Sequence, residues 1–184
     1  MTMTICQSFA RVVEAEYFQL YKRARHVFTE ALRVIEFREV CLRANASAST
    51  DAPPPADTLV QLGALMDASH ESCANLCESS CPEVDALCRL AKAAGAYGSR
   101  TTGAGWGGCT VSLVAEDRVE EFIAKIKEGY VPYRELEGEK LREVIFATKP
   151  SAGAFGEFYH SFLRLRREGE LLISLDFVVL KLEE

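Results

Sequence analysis

Between Gly103 and Gly108 four of six residues are glycine, inside the run SRTTGAGWGGCTVSLV that spans Ser99 to Val114. Glycine alone adopts positive φ freely, so this run ends whatever regular structure reaches it from either side. Behind it, CTVSLVA alternates apolar and polar residues as a half-buried strand does, and YGSRTT before it is equally strand-like. The chain must therefore pass from strand to wide loop to strand at this point, which makes an antiparallel pair the simplest local fold.

Gly103, Gly105 and Gly108 also match G-x-G-x-x-G. The dinucleotide fingerprint, however, opens a helix within a βαβ unit, and here the loop runs into a strand. The Walker pattern needs Gly-Lys-Ser or Gly-Lys-Thr, and neither triplet occurs. A protein-kinase glycine loop does join two strands, but H-R-D and D-F-G are absent. Two readings of the residues stay open. The loop is a backbone cradle whose amides face a phosphate, or it is a wide connection whose glycines only permit positive φ.

Upstream the period is helical. Tyr17, Tyr21, Ala24, Phe28, Ala31 and Ile35 recur at steps of four and three, which predicts an amphipathic helix over 15–43 that buries this stripe. NASASTDAPPPAD reads as a flexible connection over about 45–56. Asp57 can cap a second helix with the stripe Leu59, Leu62, Met66, Ser69, Cys73 and Leu76. A third helix starts at Pro82, carries Glu83 and Asp85 in its first turn and ends at Gly95 as a left-handed cap. Beyond the glycine loop, Asp117 and Glu120 resemble a capping box for a helix with Val119, Phe122, Ile123 and Ile126 on one face. REVIFATK is expected to be a further strand, stopped by Pro150. The order of elements predicts an α+β domain, an antiparallel sheet with helices packed on one face.

A net charge of −6 argues against nucleic-acid binding, which needs a basic face. The longest apolar run, FVVL, is far short of the ~20 residues of a membrane span. Seven cysteines is an odd number, and the N-terminus has no apolar run of signal-peptide length. The expectation is a cytoplasmic protein with reduced thiols.

YGSRTTGAGWGGCTVSLV resembles the third signature motif of the galactokinase branch of the GHMP small-molecule kinases. YKRARHVFTEALRV resembles the helix that opens the C-terminal half of that family. SHESCANLCESSCPEVDALCRLAKAAGAYGSR resembles the segment before the motif, particularly in fungal and animal forms, and VIFATKPSAGA resembles the approach to the C-terminus. The matches are collinear over about residues 17 to 155. The resemblance implies a ferredoxin-like sandwich forming half of an active-site cleft. It also implies transfer of the γ-phosphoryl group of ATP, with Mg²⁺, to the anomeric hydroxyl of galactose. Galactokinase is the leading reading; the alternatives are the N-acetylgalactosamine kinase branch, whose sugar-selecting residues lie upstream, and a non-catalytic sensor of galactose and ATP, which differs mainly in the N-terminal phosphate loop.

In the family a Ser-rich phosphate loop of the type GLSSS and the acidic catalytic residue belong to an N-terminal half, and neither that loop nor the N-terminal sugar signature occurs here. The expectation is a fragment that has no catalytic residue, is inactive alone, binds no cofactor tightly and has the missing N-terminal half as its partner. What carries over is the phosphate-loop support: Thr102, Gly103, Ala104, Gly105, Trp106, Gly107, Gly108 and Cys109. Arg100 is a possible auxiliary charge, although as a surface arginine at a strand end it reads more simply as structural.

Other groupings have plainer readings. His70, Cys73, Cys77 and Cys81 lie at helical spacing and could be drawn as a zinc site, but structural zinc usually draws ligands from two elements, so thiols buried on a packed helix face are expected and no metal. His26 and Glu30 are expected to be an i,i+4 surface pair. Trp106 could stack on adenine, but packing on a neighbouring domain is the preferred reading.

The ends depart from the family. Residues 1–14 do not match it, and 15–155 form the expected domain. Removing residues 156–176 would give SAGAFFVVLKLEE, close to the usual family ending with 177–184 as the last strand. The insert reads as a translated intron, since Gly156-Glu157 can be encoded by GGTGAG, a splice-donor sequence.

Overall fold

The computed structural model describes residues 18–47, 56–149 and 176–182. Residues 1–14, the middle of the 45–56 connection and all but the last residue of the 156–176 insert lie outside the described residues. Helix α1 (Leu20–Ser47) leads to α2 (Ala56–Ser72), which widens into a π turn at Cys73–Cys77, and α3 follows (Pro82–Ala94). Strands β1 (Gly98–Thr102) and β2 (Cys109–Val114) flank the glycine loop. Helices α4 (Val119–Gly129) and α5 (Gly138–Val144) precede β3 (Ile145–Thr148), and β4 is Asp176–Lys181.

All pairings are antiparallel, in the order β1-β2-β4-β3. This is the order of a ferredoxin-like βαββαβ sheet whose first strand has moved to the end of the chain, with α3 and α4 as its two helices. The expected α+β sheet is therefore present. Val114, Val178, Leu180 and Ile145 meet Leu87 and Ala91 of α3 and Phe122 and Ile126 of α4 in one core. The helices do more than cover that face. Leu113, with Val111 and Phe177, points the other way into a second core with Val40, Cys41 and Ala44 of α1 and Leu59, Leu62 and Met66 of α2.

Helix α2 also lies along the outer edge of β1. The β1 amides that face away from β2 find side-chain acceptors there: Ser99 N–H donates to Asp67 Oδ1 at 3.0 Å, and Thr101 N–H to His70 Nδ1 at 3.3 Å. A covered edge cannot pair with another chain. The approach is close enough to require glycine: a Cβ on Gly63 would sit 2.2 Å from the Tyr97 carbonyl oxygen.

Several expectations change. Helix α1 runs to Ser47 rather than residue 43, because Ala44 is buried against α2 and packing overrides the weak helix preference of the segment. Its predicted stripe is outside rather than inside: Tyr21, Phe28 and Ile35 are 78%, 71% and 53% exposed. The capping box at Asp117 does not form. A 3₁₀ turn, Glu116–Arg118, precedes α4, and the helix start has no side-chain cap. Of REVIFATK only Ile145–Thr148 is strand, since the preceding residues close α5 with Val144 buried in the core.

By contrast, α3 starts at Pro82 and ends on Gly95 at φ 110, whose N–H reaches the carbonyls of Ala91 and Lys92, as local capping chemistry predicts. No described helix is long and apolar enough to cross a membrane.

Candidate functional site

The glycine loop leaves the sheet between Thr102 and Cys109, which face each other across β1 and β2. From Gly105 to Gly108 every residue has positive φ: 86° at Gly105, 56° at Trp106, 141° at Gly107 and 87° at Gly108. A run of residues at positive φ bends the backbone sharply, a path that glycine takes without strain. The amides of Gly103, Ala104, Gly105 and Gly107 have no carbonyl partner among the described residues. A Cβ on Gly103 or Gly107 would meet nothing within 4 Å, so that side of the backbone is open to a ligand.

The loop is nevertheless held at both ends. At its tip, Trp106 donates its main-chain N–H to the Ser79 carbonyl at 2.6 Å and its indole Nε1–H to the Glu78 carbonyl at 3.1 Å. Gly105 lies so near this seat that a Cβ would come within 2.8 Å of the Ser79 oxygen. The seat is itself clamped. Glu78 has φ 56°, unusual for a residue with a side chain, and its carboxylate meets Arg23 Nη2 at 2.6 Å and Lys22 Nζ at 3.0 Å. Hydrogen bonds from Arg23, then from Lys22, hold that carboxyl down to about 2. Arg23 also donates to the Leu76 carbonyl, so α1 grips the end of the π turn from outside. At the base, Thr101 is tied to His70, and Leu182 N–H donates to the Gly108 carbonyl at 2.8 Å.

Beside Thr102 lies a cavity of about 380 Å³ between α1, α2 and the sheet, lined by Glu30, Arg33, Arg100, Val111 and Phe177 among others. Arg33 is paired with Glu30, which also accepts from Ser69 Oγ at 2.7 Å. Arg100 is half-buried and turns its Nε–H to the Thr101 carbonyl at 3.1 Å, bracing the strand end.

The remaining candidates separate. His26 and Glu30 do not pair with each other: His26 Nδ1 meets Ser72 Oγ at 2.9 Å and Glu30 turns to Arg33 and Ser69, so both serve the α1–α2 contact. Cys73 and Cys77, in the π turn, and Cys81, at the N-cap of α3, are half-buried rather than buried. His70 faces Asp85 and Thr101 instead of the thiols. Burial pushes the Cys88 thiol up to about 11, which makes it a packing group and not a nucleophile. Trp106 leaves 71% of its surface exposed, so its ring is available to a neighbour while its N–H is already used.

Two features lay outside the sequence reading. Glu78 has no motif around it, and only its left-handed backbone marks it. The His70–Asp85 contact joins positions 15 residues apart on two helices, with no pattern that announces it.

Residues 56–132 match the family model described as GHMP kinases C terminal. A galactokinase from Dictyostelium discoideum is 42% identical over 153 residues, covering 77% of this chain and 30% of the relative. One from Saccharomyces cerevisiae is 42% identical over 149 residues, with 77% and 27% covered. A bacterial galactokinase, from Actinobacillus pleuropneumoniae, is 37% identical over 123 residues, with 66% and 29% covered. The chain thus spans less than a third of the length of these curated relatives.

Proposed function

We propose that the chain, whose residues 56–132 match the family model described as GHMP kinases C terminal, is the C-terminal portion of a galactokinase. The activity assigned to the whole is transfer of the γ-phosphoryl group of ATP to the anomeric hydroxyl of galactose. Phosphoryl transfer is governed by positioning and charge stabilisation. In this reading the loop from Thr102 to Cys109 does the positioning: its open amides border the nucleotide phosphates, and its two anchors keep it from collapsing once a ligand arrives. Arg100 acts indirectly, by bracing the strand end.

Acid, base and metal ligands are a different matter. Among the described residues no three His, Cys, Asp or Glu side chains are grouped to hold a metal ion. Mg²⁺ that travels with ATP is usually held by one or two carboxylates and the phosphates themselves, so this reading leaves its ligands to the rest of the kinase. ATP phosphates fit better, because the open glycine backbone offers neutral donors to an anion.

The observation that carries the proposal is the outer face of α1. Leu20, Tyr21, Phe28, Leu32 and Ile35 are each more than half exposed, and Trp106 is 71% exposed. Large apolar side chains grouped on one helix face mark a contact surface. Relatives more than three times the length of the chain's match supply the occupant, namely the rest of the kinase.

Within this reading residues 15–155 and 177–184 form the domain, interrupted by 156–176. A cytoplasmic setting belongs to the same proposal, and the six described cysteines, all free, support it. The proposal is tested by mixing the chain with the N-terminal two thirds of the Dictyostelium galactokinase. Co-elution as a 1:1 complex on size exclusion supports it, and separate elution at micromolar concentration contradicts it.

A further inference from the structure

We propose that His70 is a positioning residue for the glycine loop, a neutral clasp that joins the base of the loop to the seat of its tip and opens when the ring is protonated. The functional meaning of the clasp rests on reading that loop as the phosphate-side element, whereas its geometry does not.

Thr101 N–H donates to Nδ1 at 3.3 Å, while Nε2 lies 3.2 Å from Asp85 Oδ1. A neutral imidazole has one acceptor and one donor nitrogen. With Nδ1 accepting, the proton sits on Nε2 and faces the carboxylate. The same Oδ1 accepts from Ser80 Oγ at 2.5 Å. Ser80 adjoins Ser79, whose carbonyl receives the Trp106 amide at 2.6 Å. Contacts therefore run from Thr101 through His70, Asp85, Ser80 and Ser79 to Trp106, and residues 102–105 close the ring. One side chain couples both ends of the loop.

Protonation changes one atom. A second proton on Nδ1 sets a donor against the Thr101 N–H, so the acceptor is lost one residue before the loop leaves β1. The ring is faced by Asp85 of α3, Asp67 of its own helix and Arg100 of β1. Asp67 is itself engaged by Lys92 and the Ser99 amide. Burial, aided by Arg100, outweighs the two carboxylates and holds the ring below its ordinary value of 6.5. The clasp is closed at neutral pH and opens as pH falls below that value.

Trp106 is the sole tryptophan, so its fluorescence reports the seat directly. The test uses the full chain, with ¹⁵N NMR of the imidazole nitrogens and Trp106 emission followed from pH 8 to pH 5. The expected result is the Nε2–H tautomer at pH 7.5 and an emission change that titrates with His70, at a midpoint below 6.5. In H70N the amide oxygen replaces Nδ1 as acceptor but cannot titrate, so Thr101 stays protected from hydrogen exchange and the emission change disappears. H70F, which has no acceptor, exchanges the Thr101 amide roughly tenfold faster at every pH, the equivalent of one lost hydrogen bond. An Nδ1–H tautomer at pH 7.5, or an emission titration unchanged in H70N, overturns the proposal. Wild type and H70N decide it even if H70F fails to fold. None of these readouts depends on kinase activity, so a failure of the functional reading leaves them in force.

Discussion

The indole N–H of Trp106 reaches the main-chain carbonyl of Glu78 across 3.1 Å, binding the tip of the glycine loop to a residue 28 positions earlier. Glu78 is in turn gripped by Arg23 and Lys22 of α1. The conformation of the loop is therefore set by α1 and by the junction between α2 and α3, as well as by the strands that flank it. A glycine loop left to itself would sample many shapes at little cost. This one is pinned at its tip and base and open between them.

Gly105 and Gly103 both have positive φ, at 86° and 96°, but only Gly105 is also crowded. G105A is expected to cost about 1–3 kcal/mol, from the strained backbone together with the clash against Ser79. It should also shift Trp106 emission to the red as the tip leaves its seat. G103A meets open space and should cost less, with emission unchanged. Thermal melts and emission spectra of the two variants check the contrast.

Glu78 links the seat to pH. Its carboxyl is lowered from 4.5 to about 2. Below 4.5 the unfolded chain takes up the proton first, so the stabilisation is complete above 4.5 and is lost as pH falls towards 2. Between those values the melting temperature of the wild type should fall more steeply than that of E78Q. The ion pairs are at the surface, so the difference between the two should shrink in 1 M salt. Parallel melts across that range, at low and high salt, are the check.

The contact of α2 with the sheet edge admits no side chain at Gly63, where a Cβ would lie 2.2 Å from the Tyr97 oxygen. G63A should destabilise the chain by about 1–3 kcal/mol or more, since backbone cannot move aside as a side-chain tip can. Hydrogen exchange at Ser99 and Thr101 should rise with it, because Asp67 and His70 retreat with the helix. Urea titration and amide exchange measure both effects.

The core between α1 and α2 and the exposed stripe of α1 should respond oppositely to substitution. Leu62 is fully buried beneath it, and L62A is expected to cost about 2–5 kcal/mol. F28E, on the exposed stripe, should leave stability within about 0.5 kcal/mol of wild type yet abolish co-elution with the N-terminal portion of a galactokinase. Denaturation curves and size exclusion on both variants separate core from contact surface.

What was legible in the sequence was local. Pro82 and Gly95 mark the ends of α3 because caps are decided by the residues at the caps, and the glycine run announces its two strands because alternation changes there. The stripe on α1 was also visible, but its direction was not: periodicity tells which residues share a face and cannot say that the partner of that face lies elsewhere. The helix that takes the start of REVIFATK reflects packing of Val144, which short alternation does not record, and the spacing of Asp117 and Glu120 does not tell a capping box from the 3₁₀ turn that precedes α4. For the site, the eight loop residues were named from a motif, whereas the groups that hold them were not. Glu78 and Ser79 hold the loop tip, while His70, itself facing Asp85, holds Thr101 beside its base; these residues come from three separate segments, and only the fold brings them together.

In the proposed function this chain is the positioning part of a sugar kinase and a second part supplies the chemistry. The most direct measurement is galactose 1-phosphate formation from galactose and Mg·ATP by the purified chain, with and without the N-terminal portion of the Dictyostelium galactokinase. The expected result is no product from either part alone and product from the two together. Turnover by the 184-residue chain alone, or none from an assembled complex, would contradict it.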